Sequence, residues 1–211
     1  AGEQVEVRMG ISYVSTENAR KNLDAEQAAD ATFDSIREQA RRSWNEALGR
    51  IRVEGGTGEQ QRVFYTALYH ALLHPNLVSD VNGEYPLMER SGETGMTDGE
   101  RYTVFSLWDT YRNLHQLMTL VYPERQLEMV RSMIGMYKEW GWLPKWELYG
   151  RETFTMEGDP AIPVIVDTWM KGLRDFDMDA AYEAMRKSAT TPGAQNRMRP
   201  DIDPYIEKGY I

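Results

Sequence analysis

The chain has no cysteine. Disulfide staples and thiolate metal sites are therefore excluded, and its order must come from apolar burial and hydrogen bonding. It also lacks any run of about 18 apolar residues, the length that a membrane-spanning helix needs. There is no basic excess: 24 Lys and Arg against 33 Asp and Glu leave a net charge of −9. That balance argues against non-specific nucleic-acid binding and against an anionic membrane surface. The opening residues, AGEQVEVRMG, have neither a basic stretch nor an apolar one, so a signal peptide is expected to be absent or already removed. What remains is an ordinary soluble composition, 41% hydrophobic and 27% charged over 211 residues. That is enough for one domain with a real core, or for two small ones.

Val5, Val7, Met9, Ile11 and Tyr13 alternate with polar or small residues, which predicts a half-buried strand. No second long strand follows it, so it is expected to need partners from an upstream β-domain. Beyond Ser15 the period becomes helical. Phe33, Ile36, Ala40, Trp44, Ala47 and Leu48 predict a helix over 27–49, closed by Gly49 and a Gly-rich stretch. Its opposite face, with Arg37, Glu38, Arg41, Arg42 and Glu46, reads as solvated. Val63, Phe64, Ala67, Leu68, Ala71 and Leu72 predict a second helix over 59–74, stopped by Pro75. His70 and His74 stand one turn apart there. With no Glu placed between them and no third ligand nearby, a hydrogen-bonded His74 at the helix end fits better than a metal pair.

Residues 75–101 read as a long loop, with Asn82-Gly83 as a hairpin-turn signal. Asp80, Asn82 and Glu84 alternate as part of a calcium loop would, but the full ligand pattern is missing. Helices are then predicted over 107–121 and 123–140, antiparallel because the connection is so short. An irregular return follows over 141–157. Asp159 and Pro160 are expected to open the next helix as cap and first helical residue, and Asp177 to cap a last one. From Thr191 onward the chain reads as loop with no closing signal. Six or so helices joined alternately by short turns and long loops form a pattern of stacked helical hairpins.

The chemistry-bearing stretch is Tyr102 to Trp146. Trp108-Asp109-Thr110, with Arg112 one turn after Trp108, stands at one helix start, and Gly141-Trp142-Leu143-Pro144-Lys145-Trp146 follows another helix end. Indole faces stack on apolar sugar faces, and planar charged groups bond sugar hydroxyls, so such a cluster suits a sugar pocket. Capping and core anchoring are the structural alternatives for Asp109 and the tryptophans.

The segments FYTALYHALLHPNLVSDVNGEY, YTVFSLWDTYRNLHQLMTLVYPER, MVRSMIGMYKEWGWLPKWELYGRET and MEGDPAIPVIVDTWMKGL resemble glycoside hydrolase family 92. These are the calcium-dependent, exo-acting α-mannosidases of bacteria that degrade N-glycans and yeast mannan. MGISYVSTENARKNLDAE resembles the family's lead-in to its catalytic domain. Family members are several times longer, so the chain is expected to be an internal piece of such an enzyme.

The resemblance implies a mainly α fold, about half of an (α/α)6 toroid. Residues 1–16 would end an upstream β-domain, 17–58 would form linker helices, and 59–211 would begin the catalytic toroid. The implied reaction is inverting hydrolysis of terminal α-mannosidic bonds. It needs an acid and a base with carboxylates about 6.5–9.5 Å apart. The family's Glu-Gly-Asn acid segment and Gly-Asn-Asp base segment are not found, and Glu152, Glu157 and Asp159 do not match them. No catalytic residue is therefore assigned, and no metal ligand.

The substrate-binding candidates are Trp108, Asp109, Arg112, Trp142, Trp146 and, near the family's active-site face, His74. The implied partners are a mannose-containing glycan and the remainder of the enzyme chain, with Ca2+ as cofactor held outside these residues. No nucleic acid and no membrane insertion are expected. The implied location is periplasmic, cell-surface or secreted in a bacterium. The alternative is a non-catalytic helical module that binds a glycan or a protein partner.

Overall fold

The computed structural model describes residue 2 and residues 5–211. The predicted N-terminal strand does not form: residues 5–12 take no regular structure, and Val5, Val7, Met9 and Ile11 are exposed. A strand needs a ladder partner, and none pairs with it among the described residues. The chain is instead pinned by polar side chains. Asp80 accepts hydrogen bonds from Ser12 Oγ (2.7 Å), Asn18 Nδ2 (2.9 Å) and Asn22 Nδ2 (2.7 Å). Those asparagines are the buried residues of α1 (Thr16–Glu26). The helix docks through amides and has no apolar stripe, so hydrophobic periodicity does not reveal it.

The predicted 27–49 helix starts later, as α2 (Phe33–Leu48), where Thr32 and Ser35 form a reciprocal cap. α3 (Gly58–Ala71) opens on a Thr57–Gln60 box and stops three residues before His74. The residue before proline is driven out of helical geometry, and Pro75 sets that limit. Four short strands follow: β1 (Asn76–Leu77), β2 (Glu84–Pro86), β3 (Thr94–Met96) and β4 (Tyr102–Thr103). β1 pairs with β4 and β2 with β3, both antiparallel. Asn82-Gly83 is not the tip of that hairpin. It turns the chain into β2, with Gly83 at φ +84° and its N–H on Asp80 O at 2.8 Å.

β5 (Phe105–Ser106) runs directly into α4 (Leu107–Thr110), and α5 (Leu114–Val121) follows. The single helix predicted over 107–121 is thus broken at 111–113. Side chains there take over the backbone bonding: Gln116 Nε2 donates to Tyr111 O at 2.7 Å. α6 (Pro123–Trp140) begins with proline in its first turn and ends on Gly141 at φ +96°. The return predicted as irregular contains β6 (Trp146–Leu148) and β7 (Arg151–Glu152), which with β5 form an antiparallel sheet in the order β5-β6-β7. α7 (Ala161–Met170) is capped by Pro160, without a side-chain bond from Asp159. Asp177 caps α8 (Met178–Thr190) as expected, with Oδ1 accepting from Ala180 N at 3.0 Å. The tail predicted as loop folds into α9 (Ile202–Lys208), anchored by buried Ile202 and closed by Gly209.

α6 is the central helix. Its Met129, Val130, Met133 and Met136 pack with Phe105, Leu107, Ile165 and Ala184 from β5, α4, α7 and α8, and with Met88 and Leu143 from loops. A smaller cluster joins Leu68 of α3 and Leu72 just past its end to Met118 of α5 and Tyr122 just past its end. The fold is mainly helical, with the small sheets holding the loops at the helix ends.

Candidate functional site

Where β5 meets β6, Ser106 and Trp146 are register partners. Directly opposed residues project to the same face of a sheet, so hydroxyl and indole stand together. The adjoining pair, Phe105 and Glu147, is wholly buried on the other face. Ser106 Oγ donates to the Asp109 carboxylate one turn on. Ser106 is thus bonded to Asp109 and is the cross-strand partner of Trp146. Beside them, Trp108 is partly exposed, and the Arg112 guanidinium lies 4.7 Å from its ring centroid and 5.1 Å from that of Tyr111. Asp109 also borders a groove of about 500 Å³ lined by Phe64, Leu68, Leu114 and Leu117. Four of the candidates, Trp108, Asp109, Arg112 and Trp146, are linked in this way through α4 and the β5–β6 pairing. An indole, a carboxylate and a guanidinium can stack on a sugar ring and bond its hydroxyls.

Trp142 and His74 are placed differently. The Trp142 ring lies 4.7 Å from Lys187 Nζ, which also donates to Gly141 O at 2.8 Å, so this indole is tied to α8. His74 is exposed in the link from α3 to β1. Among the described residues no hydrogen bond or ring contact joins either to Trp108 or Asp109.

The site's backbone is held by carboxylates. Glu152 accepts from three main-chain amides: Lys145 N (2.8 Å), Trp146 N (3.0 Å) and Phe154 N (2.8 Å). Glu147 accepts from Gly150 N (2.6 Å), Val104 N (2.9 Å) and Thr103 Oγ1 (2.7 Å). Burial pushes its carboxyl upward, and these donors and the Arg101 charge oppose the shift. Glu89 in turn takes Glu152 N at 2.7 Å. Besides Glu89 (+56°), three non-glycine residues here have positive φ: Val104 (+64°), Tyr149 (+49°) and Phe154 (+58°). Each gives its N–H to this network, Tyr149 through Thr103 Oγ1 at 3.0 Å. Strained backbone of this kind persists only where its surroundings over-determine it.

Two further polar groups have buried settings that the sequence does not reveal. His115 is buried, with Nδ1 3.0 Å from Gln126 Oε1 and Nε2 3.1 Å from Thr110 Oγ1. Gln126 Nε2 donates onward to Thr168 Oγ1 at 2.9 Å, which assigns Gln126 Oε1 as acceptor and places the imidazole proton on Nδ1. Burial lowers the pKa to about 4, partly offset by the Gln126 bond, so the ring is neutral. This chain of side chains ties the WDT turn to α6 and α7.

Asp159 is the second. Its carboxylate oxygens are sealed from solvent without a hydrogen bond among the described residues, and burial raises its pKa to about 6. Ser188, Arg199 and Lys145 pull the other way. Lys145 is itself 2% exposed, and burial lowers its pKa against the charges of Asp159, Glu152, Glu157 and Asp201.

A family model described as "Glycosyl hydrolase family 92 catalytic domain" matches residues 18–211. Among solved structures, a family GH92 inverting mannosidase from Bacteroides thetaiotaomicron VPI-5482 superposes with a TM-score of 0.85 at 36% identity, over 95% of this chain and 27% of its own. A family GH92 α-mannosidase from Bacteroides thetaiotaomicron gives 0.81 at 35% identity, over 87% of this chain and 24% of its own. A curated relative from the fungus Arthroderma benhamiae, described as an uncharacterized secreted glycosidase, is 28% identical over 190 residues. The chain spans about a fifth of that relative's length (20%).

Proposed function

The chain belongs to glycosyl hydrolase family 92, and from that premise we propose that it supplies a sugar-binding face to an exo-acting α-mannosidase. The observation that carries the reading is that Ser106 is bonded to the Asp109 carboxylate and is the cross-strand partner of Trp146. Trp108 and Arg112 extend this face. The proposed substrate is a terminal α-mannoside of a glycan, and the proposed reaction is hydrolysis with inversion. The likeness to an α-mannosidase and to an inverting mannosidase from Bacteroides supports mannoside hydrolysis and its inversion. A place outside the cytoplasm is supported by the relative described as secreted. Residues 59–211 would form the first hairpins of an α/α toroid, with Trp142 and His74 as outer contributors to the same face.

We assign no acid or base to these residues. Glu147 and Glu152 spend their oxygens on backbone amides, and Asp159 is sealed off. None of the three is free to meet a glycosidic oxygen or a water. Calcium is the family's implied metal, and these residues do not fit it. No group of three or more His, Cys, Asp or Glu gathers among the described residues. The Asp80 carboxylate, set in the predicted calcium-like run, is filled by amide and hydroxyl donors. The proposal therefore places the calcium ligands elsewhere in the enzyme. The reading as a non-catalytic interaction module is not favoured by the family match.

The test is turnover of an aryl α-mannoside by the purified 211-residue chain, beside binding of methyl α-D-mannoside. Binding without turnover is expected. Appreciable turnover would overturn the assignment of the acid and base elsewhere.

A further inference from the structure

We propose that Glu152 is the positioning residue of the Trp146 platform, setting where the indole stands relative to Asp109. The proposal rests on the reading of Trp146 as a sugar-stacking residue. Both main-chain polar groups of Trp146 are gripped by two consecutive residues. Its N–H goes to Glu152 Oε1 at 3.0 Å, and its carbonyl accepts from Thr153 N at 3.1 Å and Thr153 Oγ1 at 2.8 Å. The same Glu152 oxygen takes the N–H of Phe154, a residue at φ +58°, and its other oxygen takes Lys145 N.

One carboxylate therefore fixes the chain entering β6 and the strained chain leaving β7. No cation within ion-pair distance shares it among the described residues, so its charge is spent on amides alone. An amide side chain in its place would turn an N–H2 donor against backbone donors, and the clamp would open on one side. A displacement of the backbone at Trp146 carries straight to the indole. The two-residue β5 pairing also sets its distance from Asp109.

The experiment follows the indole resonances of the six tryptophans of the full chain, with Trp146 assigned by Trp146→Phe, and titrates methyl α-D-mannoside into each variant. Glu152→Gln is expected to displace the Trp146 resonance, leave that of Trp44 in place, and weaken mannoside binding by roughly tenfold or more, as small misplacements of a binding group do. A folded Glu152→Gln chain whose Trp146 resonance superimposes on the parent's overturns the proposal. So does a shift of all six resonances together with the melting temperature, which marks a general structural role.

If Glu152→Gln does not fold, Thr153→Val removes the hydroxyl that donates to the Trp146 carbonyl and also accepts from Thr155 N at 3.3 Å. It must then displace the same resonance, and an unmoved resonance overturns the proposal. A parent chain that binds no mannoside contradicts the sugar-binding reading. The clamp itself is still supported, in that case, by displacement of the Trp146 resonance.

Discussion

The guanidinium of Arg101 occupies the space that a side chain at Gly135 would fill. Its Nη2 pairs with Glu139 Oε2 at 2.8 Å, and both side chains are nearly buried. Glu139 also accepts from Tyr85 OH at 3.0 Å and Met88 N at 2.8 Å, so this pair bolts the β2–β3 hairpin to α6.

From this follows an inverted substitution effect. Gly→Ala inside a helix ordinarily stabilises by about 1 kcal/mol. Gly135→Ala is expected to destabilise by about 2–4 kcal/mol, because the new methyl displaces a buried ion-pair member. Chemical denaturation of parent and variant measures it.

His115 gives a pH dependence of definite sign. Its folded pKa, about 4, lies below its ordinary 6.5. Between those values the unfolded chain binds the extra proton, so stability is lost as pH falls from 6.5 towards 4, by roughly 3 kcal/mol in all. NMR of the folded chain should show the His115 ring still neutral at about pH 5. Protonation of His115 above pH 6 in the folded chain would contradict this.

Asp159 acts in the opposite direction. Its folded pKa, about 6, lies above its ordinary 3.8. The folded chain holds the extra proton between those values, so stability falls as pH rises from 3.8 through 6, again by roughly 3 kcal/mol. Asp159→Asn removes this term. The melting temperature of the variant minus that of the parent should increase from pH 4 to pH 6.5 and then level off. A difference that stays constant over that range would show that the carboxylate is not held neutral by burial.

Apolar surface predicts association. Leu120 and Val63 are 82% and 64% exposed, on α5 and α3. Exposed patches of this kind bind dyes and neighbours. The chain should bind a hydrophobic dye and self-associate with concentration. Leu120→Lys should reduce both and leave the melting temperature within about 0.5–1 kcal/mol equivalents of the parent.

The long amphipathic helices were legible in the sequence because their apolar residues recur at helical spacing, as Val130 and Ile134 do in α6. α1 was not, because it buries Asn18 and Asn22. β6 was hidden for a related reason. Along Trp146-Glu147-Leu148 the alternation assigns Glu147 to solvent, whereas Glu147 is fully buried and Leu148 is 38% exposed. A carboxylate saturated by backbone amides can take a core position that composition never suggests. The residues proposed for the sugar face, Trp108, Asp109, Arg112 and Trp146, stand in motifs that the sequence shows. The Ser106–Asp109 bond, the Ser106–Trp146 pairing and the Glu152–Trp146 bond are not legible there, since they depend on strand register. The N-terminal alternation at Val5 to Ile11 predicted a strand that finds no partner among the described residues.

The most direct test of the central claim is a calorimetric or NMR titration of methyl α-D-mannoside into the parent chain, Trp146→Ala, Asp109→Asn and the surface control Leu120→Lys. A charged hydrogen bond contributes about 1.5–3 kcal/mol, a factor of roughly ten to a hundred in affinity. Saturable binding is predicted for the parent and for Leu120→Lys, weakened by at least that lower factor in both site variants. Equal affinity in all four proteins, or no binding to the parent, would contradict the account.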